Sequence, residues 1–467
     1  MSAAIAWFRR DLRVADNPAL AAAAEAGDVV PAFVFERGLH SGRHASPSRN
    51  AYLLASLREL DEALREARAR LHYRSGDPAR EIPALAAQCG AAEVHVNRDH
   101  TAHARSRDRR VAAALAEQGR ELVGHPGITC AEIARIENAS GKPFRVFSPF
   151  ARAWNGAPRR PLVAAPRKLR GHHAVKVGRP PAEAELGIDA TAKRIVAAAG
   201  PGERTGRARV AAAIGSSGEY LDVRDLPGAD ATSRLSPPLH FGTVSPRELE
   251  TLLIEEGTQG AEGLRRQLAW RDFWLSVIRN FPENRTEEHD ARMRGMGWRE
   301  DPAGLRAWKA GRTGIPWVDA GMRQLLGEGW MHNRLRMAVG SFLTKNLLID
   351  WREGEAHFMR LLLDGDESQN NGNWQWVAST GADPQPYFRV FNPVLQQGKL
   401  DPEGTYVRRW VPELHGLADG HLAEPWKAPA AVQRAAGCVI GTDYPEPIVE
   451  LKDSRKRAIA QFEDHRD

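Results

Sequence analysis

The sequence predicts an α/β N-terminal domain with a parallel, doubly wound sheet, followed by a long linker and an all-α C-terminal domain. The 467 residues exceed the usual size of one compact core, so two domains are expected. In the first third of the chain, short apolar runs alternate with amphipathic helical patterns. In the remainder, long helical patterns dominate, and 11 of the 13 tryptophans follow Arg265.

The N-terminal domain is predicted over residues 1–130. Its strand-like runs are AIAWFRR, VVPAFVFE, LHYRSGD and EVHVNRD, and leucines recur at helical intervals in NAYLLASLRELDEALREARARL. Strands that alternate with helices indicate a parallel sheet covered on both faces. Ligands of such sheets bind beyond the carboxyl ends of the strands, where RRDLRVADNPAL and NRDHTAHARSRD are predicted to lie. Because no GxGxxG follows the first strand, a standard dinucleotide site is not expected there.

The linker is predicted over residues 131–205, and the helical domain over residues 206–467. From about Asn155 to Arg209 the composition shifts to Ala, Pro, Gly and basic residues. The prolines in this stretch argue against a regular core element.

Composition is that of an ordinary folded protein, with 42% hydrophobic and 27% charged residues. The net charge of +6 permits binding to a polyanion without requiring it. Cys89, Cys130 and Cys438 have no CxxC spacing, so neither a disulfide framework nor a metal site is expected. The N-terminal segment MSAAIAWFRRDLR contains charged residues within its first ten positions. No run approaches the roughly 18 apolar residues of a membrane span. We therefore expect a cytoplasmic protein without a membrane partner.

The motifs that carry chemistry lie mainly in the C-terminal half. RTGIPWVDAGMRQL, GWMHNRLRM, LLIDWREGE, DGDESQNNGNWQW and PYFRVFNP combine tryptophans with Arg, Asn and Asp inside helical sequence, which suggests electron chemistry around a cofactor. In TSRLS, hydroxyls surround Arg234, and such a turn can bind phosphate oxygens. A helix N-cap is the alternative interpretation, since Ser and Thr are common caps. Together these motifs resemble the photolyase/cryptochrome family of light-driven flavoproteins, most closely its cyclobutane pyrimidine dimer photolyases.

The resemblance implies FAD as the cofactor, active as the reduced anion FADH⁻. The family's TSRLS motif embraces the FAD pyrophosphate, and a tyrosine lies on the same cofactor; the matching residues are Tyr220, Thr232, Ser233, Arg234, Leu235 and Ser236. The residues that match the shell of the flavin ring are Arg336, Asp364, Asp366 and Asn370. By resemblance, Arg336 and Asp364 pair beside the ring and Asn370 faces its N5 edge. Structural ion pairs are the alternative interpretation for these Asp and Arg residues.

A guanidinium and amide donors would stabilise a reduced flavin anion in a poorly solvated pocket. Plant cryptochromes carry Asp at the position of Asn370, so asparagine favours a photolyase. Three tryptophans match the family's electron-hopping chain, with the flanks MGWRE, IDWREGE and GNWQW: Trp298, Trp351 and Trp374. Core packing is the alternative for each of these indoles.

Ultraviolet-damaged DNA is the partner that the resemblance implies. The lesion must leave the duplex, so a cavity with polar groups and an apolar wall is required. The lining positions of the family match Trp270, Trp376, Asn333 and Met337. Its DNA contacts match Arg224, Arg271, Arg334, Arg389 and Gln396, and arginine suits phosphate because its planar fork donates paired hydrogen bonds. A solvated basic face is the alternative interpretation.

Two positions depart from the family pattern. Gln267 stands where dimer photolyases usually place a glutamate against the lesion, and glutamine cannot share a proton with the pyrimidine. Ala104, preceded by His103, stands where folate-binding relatives have a glutamate, so methenyltetrahydrofolate is not expected as the antenna pigment. A deazaflavin or FMN near Arg9, Asp99 and Arg107 is one possibility, and an empty cleft is another.

The main hypothesis is a light-driven DNA repair lyase that splits cyclobutane pyrimidine dimers by electron transfer to a flipped-out lesion. The residues assigned to the chemistry are Gln267, Asn333, Met337, Asn370, Trp298, Trp351 and Trp374. A cryptochrome-type blue-light sensor is the first alternative, although no long tail follows the last helix. The (6-4) photolyases are a weaker one, because His332 does not match the position of their histidines. A single-strand binder without catalysis would use the same arginines and aromatics. We expect a monomer, cytoplasmic and associated with the nucleoid.

Overall fold

The computed structural model describes residues 3–42, 44–172, 174–384 and 389–466. It divides into two compact units, each built from separate stretches of the chain. Unit 1 comprises Met1–Gly218, Ser233–Pro282 and Leu363–Gln369; unit 2 comprises Glu219–Thr232, Glu283–Leu362 and Asn370–Asp467. The linear domain boundaries after residues 130 and 205 stay a prediction.

Unit 1 contains a five-stranded parallel sheet in the order β3-β2-β1-β4-β5. The strands are β1 (Ala3–Phe8), β2 (Asp28–Phe35), β3 (His72–Ser75), β4 (Ala91–Asn97) and β5 (Glu121–His125). In the centre of the sheet, Ile5 lies opposite Val30 of β2 and Val94 of β4. The predicted parallel sheet is confirmed, and the strand order reverses direction between β1 and β4.

The α-helices follow one another in chain order. They are α1 (Pro18–Ala26), α2 (Arg37–Ser41), α3 (Pro47–Glu66), α4 (Pro78–Cys89), α5 (Ala102–Ala116), α6 (Phe147–Gly156), α7 (Ala190–Ala199), α8 (Glu203–Gly215), α9 (Tyr220–Val223), α10 (Ser236–Phe241), α11 (Pro246–Glu256), α12 (Gln259–Asn280), α13 (Pro302–Ala310), α14 (Pro316–Glu328), α15 (Asn333–Ser341), α16 (Trp351–Leu361), α17 (Glu367–Ala378), α18 (Pro393–Leu400), α19 (Thr405–Trp410), α20 (Asp419–Leu422), α21 (Ala430–Ala435) and α22 (Leu451–Arg466). A π-helix spans Phe342–Asn346, directly after α15.

Local sequence sets the starts of the helices that cover the sheet. Asn17, Ser46, Asp77 and Thr101 cap α1, α3, α4 and α5, and each side chain accepts a hydrogen bond from a backbone N–H of the first turn. Proline occupies the first turn of α1, α3 and α4, where its missing N–H costs nothing. The starts of these four helices therefore follow from the chain's own capping residues.

Side chains of β1 alternate between two hydrophobic cores, as the period of a strand requires. Ala4, Ala6 and Phe8 join the core that contains α3, whereas Ile5 and Trp7 join the core that contains α4 and α5. Burial on both faces explains why β1 and β2 are continuous apolar runs rather than alternating ones.

The stretch that we predicted to lack regular core elements does contain them. Helices α7 and α8 lie within or overlap it, and Leu169 and Leu186 are buried in the same core as α3. Gly171 forms a parallel bridge with Val29, and a Cβ on this glycine would lie 2.5 Å from the Arg68 carbonyl oxygen. The expectation was therefore wrong here: this proline-rich stretch contains helices, and part of it pairs with a strand of the sheet.

Unit 2 is helical, and one hydrophobic cluster holds its tryptophans. Trp308, Trp317, Trp351 and Trp374 belong to it, and Trp298 packs against its edge. No helix in the described ranges is both long and apolar enough to cross a membrane. The three cysteines are buried thiols without a disulfide.

The RTGIPWVDAG motif forms a buried polar junction in unit 2. The Asp319 carboxylate, 0% exposed, accepts hydrogen bonds from the Thr313 backbone N–H and hydroxyl, both 2.7 Å. It also accepts from the Gly314 N–H at 3.1 Å and from the Tyr444 hydroxyl at 2.5 Å. Burial raises the pKa of Asp319, although these donors oppose the rise. The motif thus ties the start of α14 to the C-terminal YPEP segment.

Candidate functional site

The TSRLS motif forms a turn directly before α10, and its side chains do not cap that helix. Arg234 has φ of +47°, a left-handed conformation that is strained for a residue with a side chain. The residue at the N-cap of α10 is Leu235, whose side chain cannot accept a cap hydrogen bond. The cap interpretation of Ser236 and its neighbours therefore fails for α10, while the phosphate interpretation stays open.

Thr232 precedes this turn and belongs to unit 2. Its Oγ1 is buried and has no hydrogen-bond partner among the described residues. An unsatisfied buried hydroxyl costs about 1–3 kcal/mol, so a ligand oxygen that accepted its proton would be favoured. This orphaned atom fits a phosphate-bearing cofactor.

Tyr220 begins α9 in unit 2 and is half-buried. The guanidinium carbon of Arg224 lies 5.7 Å from the centre of its ring, in a cation–π arrangement. Burial raises the pKa of Tyr220. The structure thus places a predicted cofactor residue beside a predicted DNA residue.

Asp366 and Asp364, predicted for the flavin shell, belong to unit 1. Asp366 pairs with Arg10 and accepts hydrogen bonds from the N–H groups of Ser368 at 2.9 Å and Gln369 at 3.0 Å. Burial raises the pKa of Asp366, but Arg10 and the hydrogen bonds hold it well below its usual value. Asp366 therefore caps the start of α17, which matches the structural alternative. Asp364 is buried near the Arg49 charge.

Arg336 and Asn370, the other predicted flavin contacts, belong to unit 2. The Arg336 Nε donates to the Met331 carbonyl oxygen at 2.8 Å, which orients its guanidinium. The Asn370 amide donates to the Glu355 backbone carbonyl and to its carboxylate, both at 2.9 Å. Because both amide hydrogens are engaged, the carbonyl oxygen of Asn370 is the atom left for other contacts. Sequence reasoning missed Glu355, although it ends the quoted LLIDWREGE motif.

The three predicted electron-chain tryptophans belong to one cluster of unit 2 and differ in burial. Trp374 and Trp351 are 4% and 0% exposed, whereas Trp298 is only partly buried and lies against Phe462, with ring centres 6.3 Å apart. The Trp351 indole N–H donates to Glu288 at 3.2 Å. A carboxylate beside an indole favours a positive charge on that ring, so Glu288 is a neighbour that the sequence did not reveal.

Trp374 packs tightly against residues that sequence reasoning also missed. Its ring centre lies 5.0 Å from Phe358 and 6.1 Å from Trp308, both edge-on. Gly354 of α16 lies directly beneath it, and a Cβ there would come within 2.1 Å of the Trp374 Cη2 atom. Only glycine permits this approach without a shift of the indole.

In unit 1, three predicted lesion or DNA residues share one face of α12. Gln267, Trp270 and Arg271 are spaced i, i+3 and i+4. Gln267 is exposed, and Trp270 stacks on Phe147 with ring centres 3.6 Å apart and planes 6° from parallel. Arg271 donates to the Ile128 carbonyl oxygen at 2.7 Å, so part of its guanidinium is already hydrogen-bonded within the protein.

In unit 2, α15 carries the predicted residues of the MHNRLRM motif. Asn333 is exposed, and its amide lies 3.8 Å from the Met337 sulfur one turn later. Arg334 makes a two-pronged ion pair with Asp225. A phosphate at Arg334 would therefore compete with that carboxylate.

His332 is a buried cap of α15. Its Nδ1 accepts from the Arg334 backbone N–H at 3.2 Å, so its Nε2 carries the proton and donates to the Arg224 carbonyl oxygen at 3.0 Å. Burial lowers the pKa of His332 to about 4, so the ring is neutral at physiological pH. Both ring nitrogens are engaged within the protein.

The remaining predicted DNA residues of unit 2 lie at or near the surface. Arg389 is exposed, with its guanidinium carbon 4.8 Å from the centre of the Phe391 ring. Gln396 lies on α18 and is partly exposed. Trp376 is half-buried, and its indole nitrogen has no hydrogen-bond partner among the described residues. Pro386, Tyr387 and Phe388 of the PYFRVFNP motif lie outside the described residues.

The predicted antenna residues of unit 1 follow β1 and β4, on either side of the point where the strand order reverses. The guanidinium carbons of Arg9 and Arg107 lie 4.9 and 5.1 Å from the centre of the Trp7 ring. Arg107 also pairs with Glu36 at 2.8 Å. Burial raises the pKa of Asp99, but Arg10, Arg9 and Arg107 together lower it to about 2.

Comparisons with known proteins agree with this architecture. Residues 4–167 match the family described as DNA photolyase, and residues 264–464 match the FAD binding domain of DNA photolyase. A deoxyribodipyrimidine photo-lyase from Streptomyces griseus is 43% identical over 461 residues, which cover 98% of each chain. A solved class III photolyase from Agrobacterium tumefaciens is 36% identical with a TM-score of 0.93, covering 100% of this chain and 98% of its own. A cryptochrome from Synechocystis is 29% identical with a TM-score of 0.90, covering 98% of each chain.

The chain therefore belongs to the photolyase/cryptochrome family. The predicted fold class and the presence of an FAD-binding domain are confirmed. The roles of the individual site residues, and the pairing of Arg336 with Asp364, stay predictions.

Proposed function

We propose that this chain is a light-driven DNA repair lyase that uses FAD to split cyclobutane pyrimidine dimers. One observation carries this proposal: full-length identity of 43% to a protein named deoxyribodipyrimidine photo-lyase, against 29% to a cryptochrome. The orphaned Thr232 hydroxyl and the strained Arg234 turn support binding of the cofactor's phosphates.

When bound and reduced, FAD supplies the photoexcited electron that opens the dimer. The protein's part is to bind and orient. Arg336, whose guanidinium is fixed by the Met331 carbonyl, would balance negative charge on the ring, and Asn370 would present its carbonyl oxygen. Trp298, Trp351 and Trp374 would pass a positive charge outward to solvent, since Trp298 is the one of the three that is only partly buried.

Each unit carries residues that are predicted to recognise the lesion. In unit 1, Gln267 and Trp270 present an amide and an aromatic ring along α12. In unit 2, Trp376 has an indole N–H without a hydrogen-bond partner among the described residues. Asn333 and Met337 of α15 offer a polar and an apolar group. Aromatic rings and amides of this kind can supply the stacking and the few hydrogen bonds that a flipped-out pyrimidine pair needs.

The environment of His332 favours dimer repair over (6-4) repair. A (6-4) enzyme needs a histidine that can transfer a proton to its substrate. His332 is neutral, buried and engaged at both ring nitrogens. Its contacts are those of a helix cap.

The test is repair of an oligonucleotide with one thymine dimer, in blue light and in darkness, by flavin-loaded, reduced protein. We expect restoration only in light. Gln267→Glu is expected to raise the repair yield, because glutamate can share a proton with the lesion and glutamine cannot. Inactivity of fully reduced wild-type protein in light would reject the proposal and favour the blue-light sensor. Absence of flavin binding after reconstitution would favour the single-strand binder.

We also propose that a second pigment, a deazaflavin or FMN, binds beside Arg9, Asp99 and Arg107. Ligands of parallel sheets bind where the strand order reverses, and these residues follow the two strands at that point. Methenyltetrahydrofolate is disfavoured because Ala104 is buried and has no polar group, and His103 is paired with Glu36 at 3.1 Å.

Reconstitution with FMN is expected to add the FMN absorption band to the action spectrum of repair. Arg107→Met should abolish this added band while repair excited through FAD persists. An unchanged action spectrum with either FMN or a deazaflavin would indicate an empty cleft. As a working assignment, we further propose a monomer that acts on chromosomal DNA in the cytoplasm, associated with the nucleoid.

A further inference from the structure

The π-helix Phe342–Asn346 contains a buried lysine that the repair chemistry does not use. Its widened turn is closed by the Leu347 N–H, which donates to the Phe342 carbonyl oxygen at 3.0 Å. Lys345 is 2% exposed although it carries an amine. Lysine is almost never fully buried without a specific partner, and π-turns are common at functional sites.

The Lys345 amine joins two chain positions that are ten residues apart. It donates to the Ser379 hydroxyl at 2.8 Å and to the Arg389 carbonyl oxygen at 2.6 Å. Ser379 has φ of +65°, a conformation in which a non-glycine residue needs support. One side chain therefore fixes the end of α17 and the backbone of Arg389.

Neighbouring contacts anchor the same two positions to other parts of unit 2. The Phe391 N–H donates to the Ser341 hydroxyl at 3.1 Å, and Phe391 is 5% exposed beneath the Arg389 guanidinium. On the other side, the Asp290 N–H donates to the Thr380 carbonyl oxygen at 3.0 Å. The backbone around Arg389 is thus held by hydrogen bonds to buried residues, while its guanidinium is exposed.

We propose that Lys345 is a positioning residue for DNA binding: it holds the Arg389 backbone and the end of the helix that carries Trp376 in one arrangement. This inference rests on the proposed repair function, which makes Arg389 a phosphate contact and Trp376 part of the lesion pocket. Lys345 itself touches no DNA, because it is buried. Its effect is to keep two DNA-binding groups in place before DNA arrives.

The chemistry of an amine suits this role. It presents up to three donors from one atom at the end of a long stem, so it can reach two acceptors on separate segments. Burial, and then the positive charge of Arg389, lower the pKa of Lys345 to about 7. Even the neutral amine has two hydrogens, which is enough for both contacts.

The test separates dark binding from light-driven repair. In Lys345→Met, an unbranched apolar chain of similar length removes both hydrogen bonds. We expect its dissociation constant for dimer-containing DNA to rise roughly tenfold, with a salt slope lower by about 1, as for loss of one phosphate contact. Repair yield per absorbed photon at saturating DNA, and the flavin spectrum, should equal those of the wild type. Lys452→Met, an exposed lysine of α22, controls for the change in net charge.

A double-mutant cycle with Arg389→Gln distinguishes positioning from general destabilisation. If Lys345 acts through Arg389, the loss of binding free energy in the double variant should be smaller than the sum of the losses in the two single variants. Wild-type affinity in Lys345→Met, or full additivity with Arg389→Gln, would overturn the inference while leaving the repair function intact. Should Lys345→Met fail to fold, Ser379→Ala removes one contact while the Lys345 amine keeps its hydrogen bond to the Arg389 carbonyl oxygen. That variant must then weaken binding at unchanged repair yield, and normal affinity would likewise overturn the inference.

Discussion

Replacement of Asp319 by alanine is expected to destabilise the helical unit by at least about 3 kcal/mol, because it leaves several buried donors without an acceptor. The carboxylate accepts four hydrogen bonds, from the Thr313 N–H and hydroxyl, the Gly314 N–H and the Tyr444 hydroxyl. The site is 0% exposed, so the donors that lose their acceptor are not in contact with bulk water. Urea unfolding followed by tryptophan fluorescence would measure the loss.

Two further variants sharpen this prediction. Asp319→Asn keeps one acceptor oxygen, so its loss of stability should be smaller than that of the alanine variant. Asp453→Ala changes an aspartate that is 65% exposed and is expected to alter stability by no more than about 0.5 kcal/mol. Equal stability of Asp319→Ala and Asp453→Ala would show that the RTGIPWVDAG junction does not hold this unit together.

Gly354→Ala is expected to force Trp374 out of its position and to lower stability by about 1–3 kcal/mol, the usual cost of overpacking. The added Cβ would lie 2.1 Å from Trp374 Cη2 and 2.7 Å from Leu343 Cδ2, and neither rigid packing partner can yield freely. Because Trp374 is a predicted member of the electron chain, photoreduction of the oxidised flavin should slow. Repair by chemically reduced protein should persist, since it does not need that chain.

Gly398→Ala is the matched control for this change. Gly398 also lies in a helix, and a Cβ there would meet nothing within 4 Å. This variant is expected to gain up to about 1 kcal/mol from the better helix propensity of alanine, with normal photoreduction. If Gly354→Ala showed normal stability and normal photoreduction, the close approach of α16 to Trp374 would be needed for neither property.

Strong local patterns predicted most of the α/β fold. The apolar runs of β1 and β2 are buried almost throughout, so their sequences alone identify them. The run ELVGH of β5 escaped prediction because no residue of that edge strand is fully buried. Helices α7 and α8 were missed for a different reason, since flanking prolines made the whole stretch resemble a linker.

The sequence predicted the FAD-binding class, and the family comparison confirms it. The roles of the TSRLS turn and of the three tryptophans stay predictions, although their motifs were recognisable in the sequence. The partners of those residues were not, because they come from distant parts of the chain. Glu288 beside Trp351 and Arg10 beside Asp366 have no local sequence signal.

The sequence by itself determined the family, the FAD-binding class and the fold class, because periodicity, capping residues and motifs act over short stretches of chain. Only the tertiary structure decided which polar groups satisfy one another: Asp319 with Tyr444, His332 with the Arg224 carbonyl, Lys345 with the Arg389 carbonyl. Buried polar groups must find partners, and packing between remote segments, rather than local propensity, selects those partners.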